Sequence, residues 1–438
     1  MNLSKQTLIF LILVVIFIFP VSLNAQLSRV EKKIVTYVDQ HNAEALELLE
    51  EVVNINSGSM NFDGVKKIGQ IFINELDALA METRWVDGKS FQRSGHLIAE
   101  KKGKGPTLLL IGHLDTVFEP DSPFQQFKIL NDTIAQGPGI ADMKGGDVIM
   151  VKALEALKEV GLLQEMNIIV VMTGDEELSG RPLELARKDL IDAAKAADYA
   201  LGFENGDGDP TTAIVSRRGS IGWELIVTGV PAHSSQIFRE DVGAGAIFEA
   251  SRILNGFYEQ MEGEQFLTFN PGMMLAGTSV EYNKAKKSGT AFGKSNVVSK
   301  DVIVTGDLRT ISPEQLEKAK ATMKEIASKN RPQTTAEITF GEGYPPLAPT
   351  DGNYKLLGYF DQVSRDLGFG PVTAVDPIKA GAADVSFTAG HVEMAIDGLG
   401  LGGADDHTVN ETGDLRTLSM QIKRAAVLMY RLSAGKFK

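Results

Sequence analysis

The sequence contains no cysteine among its 438 residues. Disulfide bonds and cysteine-ligated metal sites are therefore excluded. Histidine is also scarce, at six residues, which leaves few places for a metal centre. A transition metal bound to this chain would need histidine, aspartate and glutamate ligands, and such ligands suit zinc, manganese or cobalt.

Lysine and arginine are also fewer than aspartate and glutamate. The formal net charge is −13 at pH 7, and no stretch of the chain clusters lysine and arginine. Because affinity for a phosphate backbone depends on such clusters, we expect no nucleic-acid partner. Apolar residues make up 43% and charged residues 23% of the chain, which are the proportions of an ordinary globular protein.

A single apolar run, Leu8–Phe19, exceeds ten residues, and it is too short for a membrane span of about 20 residues. Lys5 precedes this run, Pro20 ends it, and Ala25 offers a small residue at a cleavage point. We therefore expect residues 1–25 to be a signal peptide and the mature chain to be exported, either periplasmic or secreted, with no other membrane contact. An uncleaved anchor is the alternative.

Strands and helices alternate along the first half of the mature chain. Short apolar runs predict buried strands at residues 107–112, 167–173 and 199–203. Helical spacing of apolar residues predicts helices at 30–53 and 147–160. Apolar strands separated by helices indicate an α/β fold with a mostly parallel sheet that is covered on both faces.

The pattern changes near Arg218, where alternating residues predict a strand at 221–228. The elements predicted after it are a helix at 243–261, strands at 272–280, 295–298 and 302–309, a helix at 312–329 and a strand at 335–340. We expect a separate α+β domain, residues 218–341, inserted into an α/β domain formed by residues 26–217 and 342–438.

Polar segments lie where strands of the sheet should end. In chain order they are His113–Val117, Gly137–Gly146, Thr173–Gly180, Glu204 and Asp405–Glu411. Because ligands bind beyond the carboxyl ends of parallel strands, these segments can converge. Each alone has a simpler explanation. Asp142 suits a helix cap, the adjacent Glu176 and Glu177 suit a helix amino terminus, and His407 suits a solvated loop.

Taken together, the segments resemble the zinc glutamate carboxypeptidases, a family that also contains aminoacylases, acetylornithine deacetylases and some dipeptidases. The motifs HLDTV and ADMKGG, a Glu-Glu pair, a later carboxylate and a late histidine carry the resemblance, which extends from about residue 30 to the end. It implies an α/β, phosphorylase/hydrolase-like catalytic domain interrupted by an α+β lid or dimerisation domain. It also implies a homodimer formed through that insert.

The resemblance implies two zinc ions per chain. His113 and Glu204 would bind one ion, and Glu177 and His407 would bind the other. Asp142 would bridge the two ions and would be followed by a cis peptide bond.

The resemblance also implies roles in catalysis and substrate binding. Glu176 would be the general base, and Asp115 would orient the first histidine ligand. His233 would donate a hydrogen bond to the oxygen of the scissile carbonyl, in many relatives from the partner subunit of a dimer. Asn296 and Arg309 would grip a substrate carboxylate. For Arg309, a surface ion pair is the alternative.

We therefore expect a metallo-exopeptidase acting on a small peptide beside a free carboxylate, of carboxypeptidase or dipeptidase type. N-acyl amino acid deacylation, a single-metal exopeptidase and an exported two-lobed binding protein are the alternatives. Asp207–Pro210 and Glu342–Pro346 supply no cation where glutamate-specific relatives have one. A preference for an acidic substrate side chain is therefore unsupported.

Overall fold

The structure is a computed structural model that describes residues 27–437. The expected signal peptide, residues 1–25, lies outside the described residues. Between residues 27 and 437, no helix has both the length and the apolar composition that a membrane span needs.

Helices and strands follow one another along the whole described chain. The α-helices are α1 (Arg29–Gln40), α2 (Asn42–Val53), α3 (Phe62–Ala78), α4 (Gly145–Glu159), α5 (Leu183–Ala186), α6 (Lys188–Lys195), α7 (Ala246–Met261), α8 (Pro313–Ser328), α9 (Asp351–Asp366) and α10 (Leu415–Ser433). The strands are β1 (Glu82–Asp87), β2 (Gly95–Lys101), β3 (Lys104–His113), β4 (Lys128–Ile129), β5 (Ile134–Gln136), β6 (Met166–Thr173), β7 (Tyr199–Gly202), β8 (Thr212–Ala213), β9 (Gly219–Gly229), β10 (Thr268–Gly277), β11 (Ser279–Asn283), β12 (Ser288–Phe292), β13 (Asp301–Thr310), β14 (Thr334–Phe340), β15 (Thr373–Ala374), β16 (Met394–Ile396), β17 (Gly403–Ala404) and β18 (Thr412–Asp414).

The central sheet has the strand order β1-β2-β6-β3-β7-β16. The pairs β3–β6, β3–β7 and β7–β16 are parallel, whereas β1–β2 and β2–β6 are antiparallel. The prediction of an α/β fold with a mostly parallel sheet is therefore confirmed. Because β3, β6, β7 and β16 run in one direction, the residues that follow them lie at one edge of the sheet.

Strand β3 is buried on both faces, which explains its unbroken apolar run. Leu108 and Leu110 join the core formed with α4 and α10. Leu109 and Ile111 point to the opposite face, where they pack in a second cluster with Leu190 of α6. Helices on both faces therefore hold the strand that ends at His113.

A second sheet lies within residues 219–340, with the antiparallel strand order β10-β13-β9-β14. Its core contains alternate residues of β9, namely Ile221, Trp223 and Leu225, together with side chains of α7 and α8. The two helices cover one face of the sheet. These elements fall inside the segment that was predicted to be an insert, and its boundaries at 218 and 341 stay a prediction.

Two predicted elements differ from the structure. The helix predicted over residues 30–53 is two helices that meet at His41, whose backbone departs from helical geometry with φ −114° and ψ 17°. The strand predicted at 295–298 is a turn with a single bridge to His233. The strand of this region is β12, which is exposed throughout and shows no apolar alternation.

Candidate active site

The parallel strands place polar residues at one edge of the central sheet. His113 is the last residue of β3, and Glu176 and Glu177 follow β6. Glu204 follows β7, and Asp397 directly follows β16. These residues are distant in sequence, and they meet because parallel strands end on the same side.

The first group of candidate ligands consists of His113, Asp142 and Glu204. The Nε2 atom of His113 lies 3.1 Å from Asp142 Oδ1 and 3.5 Å from Glu204 Oε1. The His113 side chain is only 1% exposed. One ligand atom from each residue lies within 4.8 Å of the others, which is close enough for all three to contact one metal ion.

The second group consists of Asp142, Glu177 and His407. The Nε2 atom of His407 lies 2.9 Å from Asp142 Oδ2 and 3.1 Å from Glu177 Oε2. Asp142 thus offers one carboxylate oxygen to each histidine, and the two groups share this residue. The second group is the more open one, since the His407 side chain is 54% exposed.

Asp142 lies in a kinked turn, Ile140–Lys144, just before α4, and its own backbone is not helical, with φ −115° and ψ 92°. Its peptide bond to Met143 is cis, as the resemblance implied. Gly139 starts the turn with a φ of 71°, and a Cβ at this position would lie 2.4 Å from the Thr116 side chain. Glycine is therefore required here, which explains part of the glycine-rich motif.

Glu411 supports the turn that carries Asp142. Its carboxylate accepts hydrogen bonds from the amides of Gly139, Ala141 and Asp142, at 2.9, 2.9 and 3.1 Å. Glu411 is fully buried and lies four residues after His407. One loop therefore supplies a histidine of the second group and also holds the carboxylate that both groups share.

Asp115 contacts both the first histidine and the Glu-Glu segment. Its carbonyl oxygen lies 3.0 Å from His113 Nδ1, and its carboxylate lies 3.5 Å from the same atom. The carboxylate accepts hydrogen bonds from the amides of Glu176 and Glu177, at 2.9 and 3.2 Å, and from the Ser59 hydroxyl at 2.5 Å. Asp115 thus fixes the relative positions of β3 and the loop after β6.

Burial and mutual repulsion raise the pKa values of the glutamates. Burial raises the pKa of Glu177 to about 7, and the nearby Asp142 adds to the increase. Burial, again followed by Asp142, raises the pKa of Glu204 well above its usual value. Burial also raises the pKa of Glu176 well above its usual value and outweighs the opposing charge of His113.

The histidines compensate only part of this negative charge. Hydrogen bonds to Asp142 and Glu177 raise the pKa of His407 to about 11. Burial opposes protonation of His113, but nearby carboxylates, led by Glu204, raise its pKa well above the usual value. Bound cations would neutralise the remaining charge. Imidazole and carboxylate donors in two groups that share one carboxylate fit a pair of divalent metal ions.

Comparisons with known proteins identify the family to which this site belongs. The model of Peptidase family M20/M25/M40 matches residues 109–431, which is most of the chain. The chain belongs to this family. The resemblance to dinuclear metallopeptidases is thereby confirmed at the level of the M20 family.

Relatives and solved structures agree with this assignment. Carboxypeptidase G2 of Pseudomonas sp. (strain RS-16) is 26% identical over 400 residues, covering 89% of this chain and 90% of that protein. The structure of aminopeptidase PepT from Bacillus cereus matches with a TM-score of 0.69 at 20% identity, covering 89% of this chain and 98% of that one. An M20 family metallo-carboxypeptidase from Sulfolobus solfataricus matches with a TM-score of 0.62 at 16% identity, covering 89% of this chain and 99% of that one. At such identities the structural matches show a shared fold.

Two of the predicted substrate-side residues of this M20 chain lie on adjoining loops. His233 and Asn296 are both exposed. The Asn296 carbonyl accepts a hydrogen bond from the Ser234 amide at 2.8 Å, which joins the two loops. The Nδ1 atom of His233 lies 2.8 Å from the Ser235 hydroxyl. In the described part of the chain, no hydrogen bond or ion pair links either residue to the candidate metal ligands.

Arg309 and Arg217 are each paired with a carboxylate. Arg309 Nε lies 3.0 Å from Asp307 Oδ2, so the ion pair considered as the alternative for this residue is present. Arg217 Nη2 lies 2.8 Å from Asp397 Oδ2, and the other oxygen of Asp397 accepts a hydrogen bond from the Glu204 amide at 3.2 Å. Arg217 therefore supports the Glu204 loop through Asp397.

Sequence reasoning missed Glu411, Arg187 and Tyr344 as supports of the site. The only signal for Glu411 was its position beside the late histidine, because the amides that it binds lie about 270 residues earlier. Arg187 is fully buried and binds Asp175, the residue before Glu176. Hydrophobic periodicity could not find Arg187, because a charged residue beside a helix resembles an ordinary surface residue.

Proposed function

We propose that this protein is an exported, zinc-dependent metallo-exopeptidase that hydrolyses a peptide or amide bond beside a free carboxylate. The observation that carries this proposal is the pair of three-residue groups that share Asp142, with the partly buried Glu176 next to one ligand. His113, Asp142 and Glu204 would hold one zinc ion, and Asp142, Glu177 and His407 the other. Manganese or cobalt would suit the same donors.

When bound, the two metal ions supply a water of lowered pKa and positive charge near the carbonyl oxygen. Glu176 accepts the proton of the attacking water and returns it to the leaving amine. Its backbone is held by Asp115, which keeps the carboxylate beside the ligands. His233 donates a hydrogen bond to the carbonyl oxygen as negative charge develops. Asn296 and Arg309 bind the free carboxylate of the substrate, which would replace Asp307 as the partner of the partly exposed Arg309 side chain.

The similarity to carboxypeptidase G2 over most of both chains favours carboxypeptidase or dipeptidase action over deacylation. Arg217 does not favour an acidic substrate side chain, because Asp397 neutralises its charge. We therefore propose small peptides without a required acidic side chain as the substrates.

The test is hydrolysis of dipeptides, of peptides with varied C-terminal residues and of N-acyl amino acids by the purified mature protein. We expect metal-dependent cleavage of the peptides, and a decrease in kcat of about 10²- to 10⁴-fold for Glu176→Gln with metal content unchanged. The matched control is Glu165→Gln, the same change in a surface ion pair with Lys104, which should keep full activity.

Other outcomes of this test would select the alternatives. Preferred cleavage of N-acyl amino acids would indicate deacylation. Binding of the same compounds by the wild type without turnover would indicate a two-lobed binding protein. One metal ion per fully active chain would indicate a single-metal exopeptidase. The proposed export is tested by the N-terminal sequence of the mature protein, which should begin at Gln26.

The insert is also proposed to form a homodimer. Large apolar side chains are exposed on α7 and on the loop before it, namely Phe238, Ile247, Phe248 and Tyr258. The Phe238 and Phe248 rings lie 6.0 Å apart, so they form one patch of the kind that marks association surfaces. Phe248→Glu should convert the dimer to a monomer in sedimentation velocity measurements. A wild type that is monomeric at micromolar concentration would contradict the proposal.

A further inference from the structure

Two short segments connect the second sheet to the rest of the chain, and they pair with each other. We call residues 217–220 and 344–347 the connecting ribbon. Ser220 and Tyr344 exchange two backbone hydrogen bonds of 3.0 Å. Arg217 and Leu347 exchange two more, at 3.0 and 2.9 Å. The entry and exit of the second sheet thus form one structure with a defined register.

The side chain of Tyr344 connects this ribbon to the segment that carries the proposed general base. Its hydroxyl donates a hydrogen bond to the backbone carbonyl of Glu176 at 3.1 Å. The same oxygen accepts hydrogen bonds from Arg187 Nη2 at 2.5 Å and from the Ser179 hydroxyl at 3.1 Å. One donated and two accepted bonds use the full hydrogen-bonding capacity of a phenol.

A buried network holds Tyr344 in this position. Arg187 is fully buried, and it contacts Asp175 Oδ1 at 2.6 Å and Asp384 Oδ1 at 2.7 Å. The Thr173 hydroxyl, at the end of β6, donates to the other oxygen of Asp384 at 2.5 Å. Charge-assisted bonds of this kind in a dry environment have fixed geometry and are costly to break.

The segment after β6 depends on such side-chain contacts. The Glu176 and Glu177 amides bond to Asp115, and Arg93 donates to the carbonyls of Leu178 and Ser179. The segment lies outside any helix or strand. In the peptide unit that joins Glu176 to Glu177, Tyr344 binds the carbonyl oxygen and Asp115 binds the amide. Loss of either contact would allow this segment to move.

We propose that Tyr344 is a positioning residue for Glu176, and that it fixes the base segment to the connecting ribbon of the second sheet. This inference rests on the proposed function, in which Glu176 is the general base. A displacement of about 1 Å of a catalytic group can lower the rate about 100-fold without loss of binding. The hydroxyl of Tyr344 would therefore affect kcat rather than KM.

The test is Tyr344→Phe, which removes one oxygen atom and keeps the ring. We expect kcat to fall about 10- to 100-fold, with KM changed less than about twofold and two metal ions per chain retained. The matched control is Tyr37→Phe in α1. It removes a phenol hydroxyl that donates a hydrogen bond to Glu155 at 2.7 Å. This control should lose a similar amount of thermal stability but keep kcat.

Hydrogen exchange of residues 174–180 provides a readout that does not need turnover. We expect faster amide exchange in Tyr344→Phe than in the wild type, and no change in Tyr37→Phe. Unchanged exchange, or an unchanged kcat in an active enzyme, would overturn the inference. A wild type that hydrolyses no substrate would instead refute the proposed function, and the exchange rates would still decide whether Tyr344 positions the segment.

A second variant covers the case in which Tyr344→Phe fails to fold. Ser179→Ala removes the 3.1 Å bond to the same hydroxyl and a longer bond, of 3.4 Å, that Ser179 accepts from Arg187 Nη2, and it leaves the bond between Tyr344 and Arg187 in place. We expect a smaller decrease in kcat, of about threefold to tenfold, again with KM unchanged. An unchanged kcat in this variant would count against the inference.

Discussion

Two regions of this molecule bury carboxylates, and they treat the negative charge in opposite ways. Where α1 meets α10, Glu31 contacts Arg431 at 2.7 Å. Burial opposes ionisation of Glu31, but the hydrogen bond from Arg431 prevails and lowers its pKa. At the edge of the central sheet, by contrast, burial raises the pKa of Glu177 to about 7 and also raises that of Glu204.

The two regions differ in whether an arginine neutralises their buried carboxylates. At the α1–α10 contact, the chain provides an arginine for its carboxylates, since Arg431 contacts Asp366 at 2.6 Å as well as Glu31. At the sheet edge, the neighbouring arginines 187 and 217 are paired with Asp384 and Asp397, away from the shared Asp142. Within residues 27–437, the shared Asp142 contacts the two histidines but no arginine or lysine, and both histidines can release their protons to bind metal ions.

The largest expected effect comes from the residue that both ligand groups share. Asp142→Asn should reduce bound metal from two ions per chain to fewer than one and reduce turnover to background, because each group loses a charged ligand. Metal content by mass spectrometry and a peptide hydrolysis assay measure both effects. Asp132→Asn, the same change on the surface, should alter neither. Retention of two ions by Asp142→Asn would contradict the shared role of this carboxylate.

A smaller effect is expected when the support of Asp142 is changed. Glu411→Gln replaces one carboxylate oxygen with an amide NH2 group, which cannot accept a hydrogen bond, so at least one of the three backbone hydrogen bonds of the turn is lost. Substitutions of groups that hold metal ligands typically lower metal affinity or activity about 10- to 100-fold. A competition titration against a zinc chelator would measure the loss, with the exposed Glu159→Gln as control. An unchanged affinity would show that the turn keeps its shape without Glu411.

Residues of the candidate site were easier to predict than the contacts between them. The motifs marked His113, Asp142 and His407 because residue type and order survive in the sequence. The apolar runs also predicted the parallel strands, and parallel strands bring these residues together because they end at the same edge of the sheet. Contacts such as that of Glu411 with backbone amides leave no pattern, because any polar residue can occupy such a position in a sequence.

In the fold, too, local features were predicted from the sequence and features without a local pattern were missed. Buried strands such as β3 and β6 were predicted to within three residues, because apolar runs and helical spacing are local properties. The break between α1 and α2 was missed, because residues on both sides of His41 have the apolar spacing of a helix. The exposed strand β12 was missed because it buries no apolar face.

The pH dependence of stability should separate the two regions. In the metal-free chain, the pKa of Glu177 is about 7, above the 4.5 of an unperturbed glutamate, so its ionisation destabilises the fold increasingly from pH 4.5 to 7. The pKa of His407 is about 11, above the usual 6.5, so its stabilising protonation is complete below pH 6.5 and lost as the pH rises through 11. Both groups make the metal-free protein less stable as the pH rises.

Metal binding should reverse this trend, because metal ions bind the deprotonated ligands. The difference in Tm between metal-loaded and chelator-treated protein should therefore increase between about pH 5.5 and about pH 8.5. Differential scanning calorimetry at several pH values measures it. A difference that stays constant or decreases over this range would show that the cluster carries no charge for a metal to neutralise.

The smallest effect on turnover is expected at the α1–α10 contact. The lowered pKa of Glu31 means that its stabilising contribution is present above pH 4.5 and is lost as the pH falls below this value. Glu31→Gln should lower the free energy of unfolding by about 1–3 kcal/mol at neutral pH, with a smaller loss in acid. Urea denaturation at both pH values measures the change, and kcat should stay the same. A decrease in kcat would show that the two regions are coupled.

The central claim is that five side chains of the M20 fold hold two metal ions that share one carboxylate. The most direct measurement is anomalous diffraction at the zinc absorption edge from crystals of the zinc-loaded protein. We predict two peaks, one among His113, Asp142 and Glu204 and the other among Asp142, Glu177 and His407. Fully active protein whose crystals show one peak, or none, at these residues would contradict it.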